Sequence, residues 1–208
     1  MRAGYDPSAI TLIAVTKYVD IGRINEAIRA GVTDIGENRI QDALLKLPLL
    51  EGKPVKHLIG SLQTNKAKQA LAEFDLIHSV DRLPLVVELA KQAEKLNKRA
   101  EILIQVNISG EVSKHGLSPE QLPQLLEAIK IHPVLIPSGL MTIAPLVSNP
   151  ELTRPIFRRL REMFLESAAR FDLGPNWRYL SMGMSQDYEV AVEEGANLVR
   201  IGSALFAD

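Results

Sequence analysis

Short apolar runs rich in Val, Ile and Leu alternate along this chain with longer stretches whose apolar residues recur at helical spacing. The first run, Thr11-Leu12-Ile13-Ala14-Val15-Thr16, is continuous, as in a parallel strand buried on both faces. Asp20 then caps a predicted helix that carries Ile21, Ile24, Ala27 and Ile28 on one face and closes at Gly31. Residues 32–36 read as a second strand, followed by a helical stretch over 39–50. A third strand falls at 56–60, a helix near 66–74, and a fourth strand at 76–80. Asp81 opens the clearest helix, with Pro84 in its first turn and Leu83, Val86, Ala90, Ala93 and Leu96 at core spacing. The fifth strand is predicted over 101–107. Ser118-Pro119-Glu120-Gln121 then has the form of a capping box. A sixth strand at 138–143, a long helix at 151–171, a seventh strand at 178–182, a helix at 187–194 and an eighth strand at 198–201 complete the pattern.

Strands and helices alternating in this way predict one domain over 1–208, a single (β/α)8 TIM barrel. An open doubly wound sheet shows the same alternation and is the rival architecture. No interior linker or low-complexity tract interrupts the pattern. Residues 113–118, polar and Gly-containing, read as a mobile βα loop.

Composition narrows the chemistry. Lys and Arg total 24 against 25 Asp and Glu, a net charge of -1, so no basic field draws in nucleic acid. No apolar run approaches the ~18 residues of a membrane span, and the N-terminal residues lack a signal-peptide core. The chain has no cysteine, which excludes disulfides, thiolate metal sites and thiol nucleophiles, and fits a cytoplasmic protein. His57, His78, His115 and His132 are scattered without metal-ligand spacing, so no metal site is expected. Chemistry must then come from Lys, Arg, Ser, Asn and backbone amides.

In a barrel those groups collect where strands end. Ser181 and Gly183 at the seventh strand end, with Gly202 and Ser203 at the eighth, can bring hydroxyls and backbone N–H groups together around a phosphate. The same residues also suit tight turns and helix caps. Gly60 and Ser61 after the third strand look similar and are read as a turn. Lys17 ends an apolar strand, where partial desolvation would free an amine for imine formation; a solvated lysine is the plainer alternative. A lysine opposite a phosphate site suggests a phosphorylated aldehyde, pyridoxal 5′-phosphate (PLP) first and a class I aldolase substrate second. Arg200 needs a partner on a barrel strand, either a structural ion pair or a ligand. His57 and His78 read as satisfied core histidines, Lys66 and Lys68 as a solvated helix face. Arg158, Arg159 and Arg161 mark the outer side of the long helix, Asn38 a possible cap, and Lys114 a possible second amine at the mouth.

Several blocks in order resemble one known family. They are residues 12–17, Gly36-Glu37-Asn38-Arg39, residues 57–66 beginning His57-Leu58-Ile59-Gly60-Ser61, Ser113-Lys114-His115-Gly116, Gly139-Leu140-Met141-Thr142, residues 180–187 around Ser181-Met182-Gly183-Met184-Ser185, and Val199-Arg200-Ile201-Gly202-Ser203. The family is the pyridoxal phosphate homeostasis proteins, the YggS/PROSC-like proteins, and the similarity runs from about Leu12 to Phe206. It implies a barrel like the alanine racemase N-terminal domain (a fold-type III PLP protein), with PLP held as a Schiff base on Lys17. By the same resemblance Ser181, Gly183, Gly202 and Ser203 hold the phosphate, Arg200 faces the pyridine nitrogen, and Asn38 and Met141 line the ring. An arginine there disfavours protonation of that nitrogen and weakens the ring as an electron sink.

Two departures stand out. The family usually carries a helix before the first strand where this chain has about ten residues, and Lys56 replaces a common aromatic. Alanine racemase also needs a tyrosine from a separate C-terminal domain, and this chain ends at Asp208. The expectation is therefore a non-enzymatic PLP binder that stores, buffers or delivers the cofactor, with PLP-dependent apoenzymes as recipients. It is expected to be cytoplasmic and monomeric, to have no catalytic residues, and to affect amino-acid metabolism through vitamin B6. A PLP-dependent racemase of low activity, using Lys17 with Lys114 as a second amine, is the alternative.

Overall fold

All eight predicted strands form, and they close into one parallel barrel in chain order. The structure is a computed structural model that describes residues 6–111 and 114–207. Its elements are β1 (Thr11–Val15), α1 (Ile21–Arg29), β2 (Asp34–Glu37), α2 (Ile40–Lys46), β3 (Val55–Leu58), α3 (Ala67–Glu73), β4 (Leu76–Val80) and α4 (Leu83–Lys95). The second half comprises β5 (Ala100–Gln105), α5 (Leu122–Lys130), β6 (Leu135–Met141), α6 (Arg154–Phe171), β7 (Tyr179–Met184), α7 (Tyr188–Glu193), β8 (Leu198–Ile201) and α8 (Ser203–Phe206). β1 pairs in parallel with both β2 and β8, so the open doubly wound sheet does not apply.

Local chemistry explains both the agreements and the shifts. Asp20 caps α1 by accepting from the Arg23 N–H at 3.1 Å. Ser118 N–H donates to Gln121 Oε1 at 3.1 Å, and the Ser118 side chain accepts from the Gln121 N–H, closing the expected capping box. Asp81 does not cap α4; its Oδ1 accepts from Arg82 Nη1 at 2.6 Å, and Arg82 takes the cap position. The predicted helix over 39–50 ends early because Pro48 tightens its last part into a 3-10 turn, Leu47–Leu49. β6 starts three residues before its predicted start, ahead of Pro137. That proline lacks an N–H, and a register shift opposite Ile102 and Leu103 absorbs the gap. The polar segment expected to be mobile is paired over its described part: Leu117 N–H donates to Gln105 O at 3.0 Å and Asn107 N–H to Leu117 O at 2.9 Å. Ser113 lies outside the described residues.

The core has two parts. The larger packs helices onto the outer barrel face, with Leu58, Leu89, Ile104 and Phe157 among its buried residues. The smaller fills the barrel with Ile13, Leu76, Leu103, Met141 and Leu198. Gly36 must stay small here, since a Cβ would come 2.8 Å from Ile13 Cγ2.

Outside the barrel, α6 is tied to the end of α7. Glu194 is buried and accepts from Arg158 Nη2 at 2.9 Å and Arg154 Nη1 at 3.0 Å. The Arg158 bond, opposed by burial and helped by Arg154, holds the Glu194 carboxyl below its ordinary value of 4.5. A lowered folded-state pKa contributes stability that is present above the unfolded pKa and lost as pH falls through the folded one. Glu194→Gln is expected to remove roughly 1–2 kcal/mol at neutral pH. The difference should begin to shrink as pH falls past 4.5 and vanish only below the lower folded-state value, and urea unfolding at neutral and at progressively acidic pH measures this.

Candidate functional site

The end of β1 is pinned before Lys17 emerges from it. Thr16 is buried; its N–H donates to Gly36 O at 3.0 Å and its Oγ1 to Glu37 Oε1 at 2.7 Å. Lys46 Nζ reaches back from α2 to Glu37 Oε1 at 2.9 Å and to Thr16 O at 2.8 Å. A buried carboxylate therefore has its cation, and the backbone just before Lys17 is held from two elements. Lys17 itself is exposed, and its Nζ makes no hydrogen bond or ion pair among the described residues. Lys17 stands exposed at the cavity rim, the placement that fits the plainer solvated alternative.

A cavity of about 480 Å³ opens at the C-terminal end of the strands. Lys17, Asn38, Arg200, Gly202 and Ser203 line it together, contributed by the ends of β1, β2 and β8. Gly60 underlies Asn38: a Cβ there would come 2.1 Å from Asn38 O, so the expected simple turn is also a close approach of two βα loops.

Met141, Ser181 and Gly183 stand behind the wall instead of on it. Met141 is fully buried in the barrel cluster with Ile13, Leu103 and Leu198. Gly183 has φ of +89°, and a Cβ would sit 2.6 Å from Ala191 Cβ, so the glycine serves the packing of α7. Ser181 is buried, with its Oγ accepting from Arg200 Nη1 at 2.7 Å. The hydroxyl that reaches the cavity from this loop is Ser185. Its Oγ accepts from the Gly202 and Ala204 N–H groups, each at 3.2 Å, joining the β7 and β8 loops. Glu37 and Ser185 belonged to conspicuous sequence blocks but carried no assigned role, and Lys46 had no sequence signal beyond its charge.

Arg200 forms the cavity floor while being buried itself. Its Nη2 donates to Thr142 O at 2.8 Å in addition to the Ser181 bond. Burial pushes its pKa down to about 10, partly offset by the Asp187 charge, so it stays cationic at neutral pH. Asp187 lines the same cavity, and its Oδ1 accepts from the Met184 N–H at 2.7 Å. Burial, opposed by that bond and by Arg200, pushes its carboxyl up. Lys114 does not line the cavity; its N–H donates to Glu111 O at 3.0 Å within its own loop. His57 and His78 are hydrogen-bonded in the barrel interior. Among the described residues no group of His, Asp and Glu could hold a metal ion, and no helix is long and apolar enough to cross a membrane.

A parallel barrel whose mouth cavity holds a buried arginine and a lysine without a partner among the described residues is the class of protein that fold and site define. The family model for the alanine racemase N-terminal domain matches residues 3–208. The pyridoxal phosphate homeostasis protein of Aquifex aeolicus is 43% identical over 208 residues, covering 100% of this chain and 90% of that protein. The structure of PipY from Synechococcus elongatus PCC7942 with PLP bound is 36% identical, with a TM-score of 0.85 over 99% of this chain and 96% of that one. Alanine racemase of Clostridium difficile 630 shares the fold at 13% identity and a TM-score of 0.75, over 98% of this chain and 53% of its own. The chain belongs to the alanine racemase N-terminal domain family and, within it, to the pyridoxal phosphate homeostasis proteins.

Proposed function

We propose that this barrel binds PLP in the mouth cavity and acts in PLP homeostasis, holding the cofactor for storage, buffering or delivery. Lys17 and Arg200 sharing one cavity is the observation that carries this assignment. The volume lies within the range of small-molecule sites. Bound PLP would supply an aldehyde and an electron-withdrawing ring. Lys17, with no competing partner among the described residues, would offer its amine to the aldehyde, with loss of water. The Ser203 hydroxyl and backbone N–H and the Ser185 hydroxyl would receive the phosphate, with Gly202, whose N–H holds Ser185 Oγ, leaving room for its approach. Asn38 would border the ring, and the Arg200 guanidinium would face its nitrogen and disfavour protonation there. Ser181, Gly183 and Met141 would support this set from behind.

Racemisation needs a base on each face of the cofactor, and among the described residues no tyrosine lines the cavity. Relatives at 43% and 42% identity are named as homeostasis proteins. Delivery to PLP-dependent apoenzymes, a monomeric state and a cytoplasmic location complete the proposal. Incubation with PLP, borohydride reduction and peptide mass mapping are expected to find a pyridoxyl group on Lys17. No pyridoxyl mass at all would sink the assignment. Rapid α-deuterium exchange of alanine in D₂O by the loaded protein would favour the racemase instead.

A further inference from the structure

A line of polar side chains runs through the barrel from the cavity floor to β2. Arg200 Nη1 donates to Ser181 Oγ at 2.7 Å, and Ser181 Oγ lies 3.0 Å from His78 Nδ1. His78 Nε2 lies 2.9 Å from His57 Nδ1, and His57 Nε2 lies 2.8 Å from Asp34 Oδ1. All five residues are buried, and β8, β7, β4, β3 and β2 supply one each. The Asp34 carboxylate is also anchored, since its Oδ2 accepts from Thr33 Oγ1 at 2.7 Å.

The two ends dictate where the protons lie. A guanidinium only donates and a carboxylate only accepts. Asp34 therefore takes the proton on His57 Nε2, which leaves Nδ1 as an acceptor for His78 Nε2–H. His78 Nδ1 is then an acceptor for the Ser181 hydroxyl proton, and Ser181 Oγ accepts from Arg200. Every bond points the same way, from the cation to the anion, and every polar atom along the line is satisfied. Adding a proton to His57 would reverse the His78 ring and leave the Ser181 hydroxyl without an acceptor, beside a buried guanidinium.

We propose that Asp34, His57, His78 and Ser181 form a one-way hydrogen-bonded relay that positions Arg200 toward the cavity, with both imidazoles neutral and protonated on Nε2. Burial first, with the Arg200 charge beside it, holds His78 well below its ordinary pKa, in keeping with a neutral ring. Burial pushes Asp34 up, but the His57 and Thr33 bonds outweigh it and keep the carboxyl below its usual range. A chain of this kind polarises along its length, so a change at Ser181 is felt at Arg200. None of these four residues lines the cavity; they are positioning residues acting through Arg200. Their role toward the ring rests on the PLP assignment above.

Imidazole nitrogen NMR on the full chain without added ligand reports the relay directly. His57 and His78 are each expected to show one protonated nitrogen, assigned as Nε2. A proton on His78 Nδ1, or a doubly protonated ring, would overturn the proposal. With PLP as the probe, Ser181→Ala is expected to keep borohydride-fixed PLP on Lys17, weaken reversible PLP binding about tenfold and shift the bound chromophore's absorbance. Ser181→Thr, which keeps the hydroxyl, should restore both. Unchanged affinity and absorbance in Ser181→Ala would overturn the positioning role. A wild-type chain with no PLP fixed at Lys17 would overturn the cofactor assignment and the ring-facing role with it, while the nitrogen shifts would still decide the relay.

Discussion

Lys17→Ala is expected to reduce borohydride-fixed pyridoxyl mass to background and to abolish the visible absorbance of the PLP-loaded protein. Other lysines lie near the barrel mouth, but their amines are committed elsewhere or placed off the cavity. Lys46 Nζ is held by Glu37 and by Thr16 O, and Lys114 does not line the cavity. Lys17→Arg separates charge from nucleophilicity. It keeps a cation at the rim, yet a guanidinium, which stays protonated at any working pH, offers no free lone pair. Both variants should retain weak, non-covalent PLP binding through the phosphate-facing residues. Both should fold as wild type does, within about 0.5 kcal/mol, because Lys17 is exposed and without a partner among the described residues. A pyridoxyl group that survives Lys17→Ala on another lysine would refute the residue assignment while leaving PLP binding intact.

Gly139→Ala should have the largest effect on stability, and it acts on closure of the barrel. Gly139 sits at φ of +150° on β6, where a Cβ would come 1.9 Å from Tyr179 O and 2.7 Å from Tyr179 C. Both are backbone atoms of β7, the strand that pairs with Gly139 at Tyr179. No rotamer relieves that overlap, so β6 and β7 must part or the strand must twist out of register. A loss of about 4 kcal/mol or more is expected, seen as a lowered urea midpoint or as insoluble protein. Gly174→Ala is the control. Its φ is +66° but nothing lies within 4 Å of a Cβ, so only the left-handed backbone penalty of about 1–2 kcal/mol applies. A Gly139→Ala variant as stable as Gly174→Ala would show that β6 and β7 can separate at little cost.

The barrel itself was legible because each strand is buried on both faces. Burial of that kind leaves a continuous apolar run in β1 and mostly apolar ones in β4 and β5, and the helices between carry a periodic stripe. Boundaries moved where a single residue type intervened: Pro137 concealed the first half of β6, and Pro48 cut α2 short. Lys17, Arg200, Gly202 and Ser203 were legible as cavity residues for a similar reason. Each lies at a strand end, and the fold gathers strand ends at one mouth.

The hydroxyls of β7 were different. The sequence assigns the phosphate to Ser181 and no role to Ser185, just beyond β7, and regular alternation carried on through Ser185 would put both on one face. β7 is not regular: the pairing with β8 shifts register between Ser181 and Met184, and Gly183 takes a positive φ in between. That irregularity turns Ser181 into the barrel and brings Ser185 to the cavity.

The amino-acid sequence alone determined the order of elements, the buried faces and the presence of an amine and a guanidinium at strand ends, because those depend on local periodicity and residue type. Tertiary structure alone decided that Lys46 serves Glu37, that Ser185 rather than Ser181 reaches the cavity, and that His57 meets His78 across neighbouring strands. Those contacts depend on register and closure around the barrel, which join residues that no local pattern relates.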